Sequence, residues 1–242
     1  MERIIILTGP SCVGKSPLFK ALRKFYPELA QPLHKIIFYN SRSPRPGEVD
    51  GVDYRFRPPA EVQALAENAD FLYYQARNDH QAVSLDEIRQ AAHAGGAFLD
   101  VNPKLALKLR ERLGGFALLE IFLAPLNRAE IEFLRGQEKF DFRELVTDLM
   151  RRKLLRRTQR HKGILALSDL EEIEKRAGSA SEELRLAHEF QWVLPNHDGE
   201  DSDNWDAFYY PLGDARRTLQ AFADLLRAAR SDLAEKWPAN LI

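Results

Sequence analysis

The 242-residue chain has a single cysteine, Cys12. One thiol cannot close an internal disulfide, and it cannot complete a thiolate zinc site. Such a chain suits a reducing compartment, and we expect a cytoplasmic protein. Long apolar runs are also missing. The first hydrophobic stretch, Ile4-Ile5-Ile6-Leu7, is too short for a signal-peptide core, and no later stretch reaches the ~18 residues that a membrane span needs. Charge of one sign is missing too: the formal net charge is -1, so no global field attracts nucleic acid or an acidic membrane. The histidines at 34, 80, 93, 161, 188 and 197 lack metal-ligand spacing. There is no internal repeat and no low-complexity tract. What remains is an ordinary globular balance, 45% hydrophobic and 29% charged, at a length suited to one α/β domain with an elaboration.

Hydrophobic patterning predicts strands at 3–8, 35–39, 71–76, 96–101 and 116–123, and helices at 16–25, 85–94 and 105–113. Strands alternating with helices of this length predict an α/β fold with a central parallel sheet flanked by helices. From 127 to about 190 the chain turns helical and heavily charged, which suggests a helical lid inserted into the core. Residues 191–195 return to the sheet. Asn196–Asn204 is a polar loop, and 214–233 is a final amphipathic helix.

Between the first strand and the first helix stands Gly9-Pro10-Ser11-Cys12-Val13-Gly14-Lys15-Ser16, a complete G-x-x-x-x-G-K-[ST] loop. Its glycines let backbone N–H groups turn inward onto phosphate oxygens. Lys15 reaches the β- and γ-phosphates, and the Ser16 hydroxyl can ligate Mg²⁺. The helix that follows aims its N-terminus at the anion. The motif predicts ATP and Mg²⁺ as ligands. Pro17 is at odds with this pattern, because it has no N–H to offer a phosphate.

A second segment, residues 40–57, is shaped by proline and glycine. It places Arg42 and Arg45 three apart, with Glu48 and Tyr54 close behind. Planar guanidinium groups suit bidentate phosphate binding; a solvated turn held by a surface ion pair is the competing reading. Together, G-P-S-x-x-G-K-S and S-R-x-P-R-x-G-E-x-x-G-x-x-Y-x-F resemble the guanylate kinase family, with Gly51 and Phe56 also matching. The resemblance implies a P-loop NTPase type of fold and phosphoryl transfer from ATP to GMP or dGMP. It implies that Arg42, Arg45 and Tyr54 hold the acceptor phosphate and that Glu48 supports their loop. Asp100 resembles the family's aspartate beside the acceptor. Arg176, in Ile173-Glu-Lys-Arg176-Ala-x-x-Ala180-x-x-Glu183, resembles its lid arginine across the transferring phosphates. Asn196, in Trp192-Val-Leu-Pro-Asn196, resembles the asparagine near the ATP base. The expected organisation is a core at 1–126 with the acceptor segment at about 35–84, a lid at 127–190, and a return to the core at 191–242.

The chain departs from the family pattern on the base-reading side. Tyr73 stands where a glutamate usually reads the guanine edge. Gln81-Ala82-Val83 replaces a Y-G-T segment, and Phe38 replaces a serine. Two alternatives follow. One is a kinase on the same scaffold acting on a different phosphorylated acceptor, with Arg77, Asp79 and Gln81 as candidate readers. The other is a binding module without turnover.

The run from Met150 to Lys162 holds seven Lys/Arg and no acid. A solvated helix face, a phosphate-clamping lid and a nucleic-acid surface compete for it. The near-zero net charge and the lack of interleaved aromatics argue against the last. His197-Asp198-Gly199-Glu200-Asp201 is acidic but lacks the register of a calcium loop, and reads as a polar turn. Oligomeric state leaves no trace in the sequence.

Overall fold

The computed structural model describes residues 2–45, 47–76, 79–138 and 140–242. The chain opens on β1 (Arg3–Thr8), whose Ile4–Leu7 run is fully buried, as a continuous apolar strand central to a parallel sheet should be. α1 (Lys15–Phe25) and the short α2 (Pro27–Ala30) follow. Next come β2 (His34–Lys35), β3 (Phe38–Asn40), β4 (Tyr54–Phe56), α3 (Pro59–Ala64), β5 (Phe71–Ala76) and β6 (Asp79–Ser84). α4 (Leu85–His93), β7 (Ala97–Val101), α5 (Pro103–Arg112) and β8 (Ala117–Ala124) continue the alternation. The helices α6 (Arg128–Arg135), α7 (Phe142–Lys162) and α8 (Leu167–Arg185) precede β9 (Trp192–Pro195) and α9 (Gly213–Ala228).

The five-stranded sheet runs β2-β7-β1-β8-β9, with β2 parallel to β7 and β8 parallel to β9. A second, four-stranded sheet runs β4-β3-β6-β5. The predicted strand at 35–39 therefore divides between two sheets. His34–Lys35 pairs with Ala97–Phe98, whereas Phe38–Asn40 pairs with β4 and β6. β6 itself escaped the sequence reading because its first three residues, Asp79-His80-Gln81, are polar. It is antiparallel to β5 in a register from Phe71↔Ser84 to Ala76↔Asp79. Arg77, named above as a candidate reader in the connecting turn, lies outside the described residues. α9 stops at Ala228 rather than at 233, where Ala229 turns left-handed at φ 51°.

The chain forms two compact units. The first comprises Met1–Ile5, Pro32–Leu99 and Leu105–Leu118. It contains the four-stranded sheet and the arginine-rich loop, over a core that includes Phe38, Val83, Leu85, Ile88 and Phe98. The second comprises Ile6–Gln31, Asp100–Lys104 and Leu119–Ile242. It contains the glycine loop, the α7–α8 hairpin, β9 and α9, over a core that includes Leu18, Phe122, Met150, Leu154 and Phe222. Among the described residues no helix is long and apolar enough to cross a membrane.

Candidate active site

In the second unit, β1 hands the chain to α1 through the glycine loop. Thr8 Oγ1 donates to Val101 O at 2.8 Å and fixes the strand end. Gly9 takes φ 137°, and a Cβ there would lie 2.3 Å from the Leu123 carbonyl oxygen. Only glycine tolerates that combination. Gly14, at φ 105°, is the N-cap of α1. It offers no side-chain cap, and the first turn holds no acid, so the orphan N–H groups of the helix are left for an anion. Lys15 Nζ donates to Gly9 O and Pro10 O, 3.0 Å each, and so already arches over the loop. Ser16 is exposed at the second position of α1. Arg176, from α8, donates from Nε to Ser11 Oγ at 3.2 Å.

Gly9, Ser11, Cys12, Val13, Gly14, Lys15, Ser16 and Arg176 thus form one constellation, and Asn196 joins it from the end of β9. Asn196 is 0% exposed, and its Nδ2 donates to Val13 O and Asp198 O, both at 2.7 Å. It therefore braces the loop backbone, and its buried Oδ1 has no partner among the described residues. Asp100 is the penultimate residue of β7 and belongs to this same second unit. Cys12 is buried in the left-handed region at φ 68°. Burial, with Glu200 adding to it, pushes its thiol up to about 12, so it stays neutral and is not a nucleophile. Among the described residues no group of three or more His, Cys, Asp or Glu could hold a metal. An exposed serine hydroxyl beside an anion-binding loop suits Mg²⁺ arriving on phosphate oxygens with most of its water retained.

The arginine-rich loop lies in the first unit. Arg42 Nη1 and Nη2 clasp Glu48 Oε2 and Oε1 at 2.6 and 2.7 Å, and Arg45 N donates to Glu48 Oε2 at 2.8 Å. The Arg42 guanidinium sits over the Tyr54 ring at 5.0 Å and the Phe56 ring at 5.3 Å. Burial opposes its charge. Glu48 outweighs that, helped by Tyr54 and Asp79, and raises the Arg42 pKa above its ordinary value. Glu48 in turn titrates below the usual carboxylate range, because the Arg42 and Arg45 bonds outweigh its burial. Three of the five Arg42 N–H donors are spent on Glu48 and Ser43 O, which leaves two for an incoming anion. The structure therefore brings Arg42, Arg45, Glu48 and Tyr54 together in one loop. Beside it, the Tyr73 hydroxyl and His80 Nδ1 lie 2.5 Å apart with their rings stacked, and Gln63 Nε2 reaches His80 Nε2 at 3.1 Å. Tyr73 is thus committed to a histidine.

The guanylate kinase family model matches residues 1–176. The chain belongs to the guanylate kinase family. It is 30% identical over 195 residues to a guanylate kinase of Deinococcus radiodurans, covering 80% of this chain and 68% of that one. A guanylate kinase of Mycolicibacterium paratuberculosis is 35% identical over 132 residues, 54% of this chain; the match spans 57% of that relative's length. The crystal structure of guanylate kinase from Anaplasma phagocytophilum shares the fold at a TM-score of 0.55 and 16% identity, over 93% of this chain and 85% of that one.

Beyond residue 176, where the family-model match stops, the structure adds residues that the sequence reading left as a polar turn. The loop after β9 packs directly against the phosphate loop. Glu200 N donates to Cys12 O at 3.3 Å, and a Cβ on Gly199 would lie 2.3 Å from that same oxygen. Trp205 Nε1 locks the turn through Asp198 O and Gly199 O at 2.8 and 3.0 Å. Asp198 Oδ2 accepts from Ala215 N at 3.0 Å, capping α9 where the N-cap Leu212 has no side chain to do so. The basic run on α7 meets this acidic loop rung by rung. Lys153, 7% exposed, donates to His197 O and lies 3.7 Å from Asp201. Arg156 lies 3.6 Å from Asp201 and Arg160 lies 2.9 Å from Asp203, while Arg157 pairs with Glu200. One face of the basic helix is therefore neutralised inside the chain. The two opposite charge blocks were the available signal, but nothing in sequence spacing joins them.

His197 shows the same design in a titratable form. Nδ1 meets Asp214 and Nε2 meets Glu130 Oε2 at 2.9 Å. A neutral imidazole has one N–H, so two carboxylates on opposite nitrogens select the imidazolium. Burial lowers its pKa, and the bonds to Asp214 and then Glu130 more than reverse this. A raised folded pKa means that His197 contributes its stability fully below its unfolded pKa, near 6.5, and loses it as pH rises through the folded value. Thermal melts of wild type and His197→Gln across pH 5.5–9 should therefore converge toward high pH and differ most at low pH. A constant gap would refute this.

Proposed function

We propose that the protein transfers a phosphoryl group from ATP to a nucleoside monophosphate, GMP or dGMP. The observation that carries this reading is that one guanylate kinase family chain holds two preformed anion grips. One is the glycine loop with its lysine and an uncapped helix terminus. The other is the Arg42–Arg45–Tyr54 loop, oriented by Glu48. Phosphoryl transfer asks little covalent chemistry of a protein; it asks for positioning and for cations at the equatorial oxygens.

Lys15 leaves the Gly9 and Pro10 carbonyls for the β- and γ-phosphates, and the N–H groups of 11–16 hold the remaining oxygens. Arg176, beside Ser11, neutralises charge on the group in transit. Arg42, Arg45 and Tyr54 grip the acceptor phosphate while Glu48 fixes the guanidinium fork, and Asp100 serves the acceptor side. Asn196 serves the ATP site by bracing Val13. The Ser16 hydroxyl would hold Mg²⁺ brought by the nucleotide, and the ion would supply charge neutralisation on the polyphosphate. A lone, protected thiol and nucleotide substrates suit the cytoplasm.

One observation supports a second reading, a different acceptor on the same scaffold. Tyr73 and His80 satisfy each other where a base-reading carboxylate is usual, and a site that reads a base edge discriminates through its polar groups. The test is Mg²⁺-dependent transfer from ATP to a panel of nucleoside monophosphates. Transfer to GMP or dGMP is expected. Transfer to another acceptor alone would replace the substrate and keep the chemistry. No transfer to any acceptor would sink the proposal.

A further inference from the structure

We propose that Glu200 is a positioning residue of the nucleotide site, tying Arg157 of α7 to the phosphate loop near Lys15 and Arg176. The inference rests on the ATP-binding reading above. The family model matches residues 1–176 and does not reach this loop.

Three elements bring cations to this corner of the second unit. Lys15 begins α1, Arg157 comes from α7, and Arg176 comes from α8 and touches Ser11. Like charges converging on one loop repel one another, and in a partly buried site that repulsion is poorly screened. Glu200 is the counter-charge. Its carboxylate accepts from Arg157 Nη1, and its own N–H donates to Cys12 O, so the acid ties that arginine to the loop. Burial works against its ionisation. The charges of Arg157 and Lys15, the Arg157 bond and the Arg176 charge overcome that and hold its carboxyl below the usual range. Gly199 allows the approach, since any side chain there would meet Cys12 O. Lys153, one turn before Arg157, fixes the helix through His197 O and Asp201.

Removing the charge while keeping the shape has two opposite effects. The site becomes more positive, which favours a polyphosphate. Arg157 also loses its anchor beside the loop, which slows a reaction that depends on the placement of that cation. Glu200→Gln is therefore expected to bind ADP·Mg²⁺ as tightly as wild type or up to ~10-fold tighter, by calorimetric titration, while kcat falls ~10–100-fold. Glu200→Asp, which keeps the charge on a shorter arm, should bind ADP like wild type with kcat lowered several-fold. Arg160→Gln, on the exposed rung with Asp203, should change neither.

A purely structural role predicts parallel losses of affinity, kcat and melting temperature. Such parallel losses, or a Glu200→Gln kcat within twofold of wild type, would overturn the proposal. If Glu200→Gln does not fold, a Glu200→Asp kcat within twofold of wild type overturns it. Wild-type protein that binds no nucleotide overturns both this inference and the ATP reading. Nucleotide binding lost in Lys15→Ala, together with a Glu200→Gln kcat within twofold of wild type, overturns this inference alone.

Discussion

Lys15→Ala is expected to lower kcat for phosphoryl transfer by about 10²–10³-fold, because a preorganised cation aimed at developing charge is worth that much in a site of this kind. The fold should survive. The ammonium bonds only two carbonyls of its own loop, Gly9 O and Pro10 O, and the side chain is half-exposed. Both carbonyls can turn to water when it is removed. The melting temperature should therefore stay within a few degrees of wild type while activity collapses. Retention of more than a tenth of wild-type kcat would mean that the phosphates sit elsewhere.

Pro17→Thr is expected to tighten nucleotide binding by about 10–100-fold, the equivalent of one recovered hydrogen bond to a charged group. Residue 17 is the third residue of α1, within the turn whose N–H groups have no intrahelical acceptor. In that turn proline costs the helix nothing, which is why the fold accepts it. It does cost the site a donor. Threonine restores the N–H at a half-buried position without filling any core space. Titration of ADP·Mg²⁺ into both proteins decides the matter, and equal affinities would show that this N–H faces no phosphate.

The shapes of the glycine loop and of the arginine-rich loop were legible in the sequence because each lies within one short stretch of covalent chain. The spacing from Gly9 to Ser16 leaves the backbone few options, and the preceding β-branched run announces its own burial. Arg42 and Glu48 are six residues apart in a proline- and glycine-shaped loop, so their meeting is nearly local. The pairing of α7 with the acidic turn is of another kind. Arg157 and Glu200 stand 43 positions apart, and a run of arginines accepts carboxylates in any register. Only the packed helices choose the rungs. The change of sheet between Lys35 and Phe38 was hidden for a related reason. Ile36 is buried between the two strands, so the hydrophobic run gives no sign that its hydrogen-bond partners change. Tyr73 and His80 meet diagonally across β5 and β6, Tyr73 lying opposite Ala82 and His80 opposite Gln75, and half of that hairpin reads as polar.

The bracing of the glycine loop also has a consequence for the order in which the site can form. Asn196 reaches Val13 across 183 positions, and Arg176 reaches Ser11 across 165. The nucleotide motif is synthesised well before the residues that brace it. Contacts this distant in sequence carry a large closure entropy and form late. A nascent chain halted short of Asn196 would thus carry every residue of the motif and still lack the brace behind it.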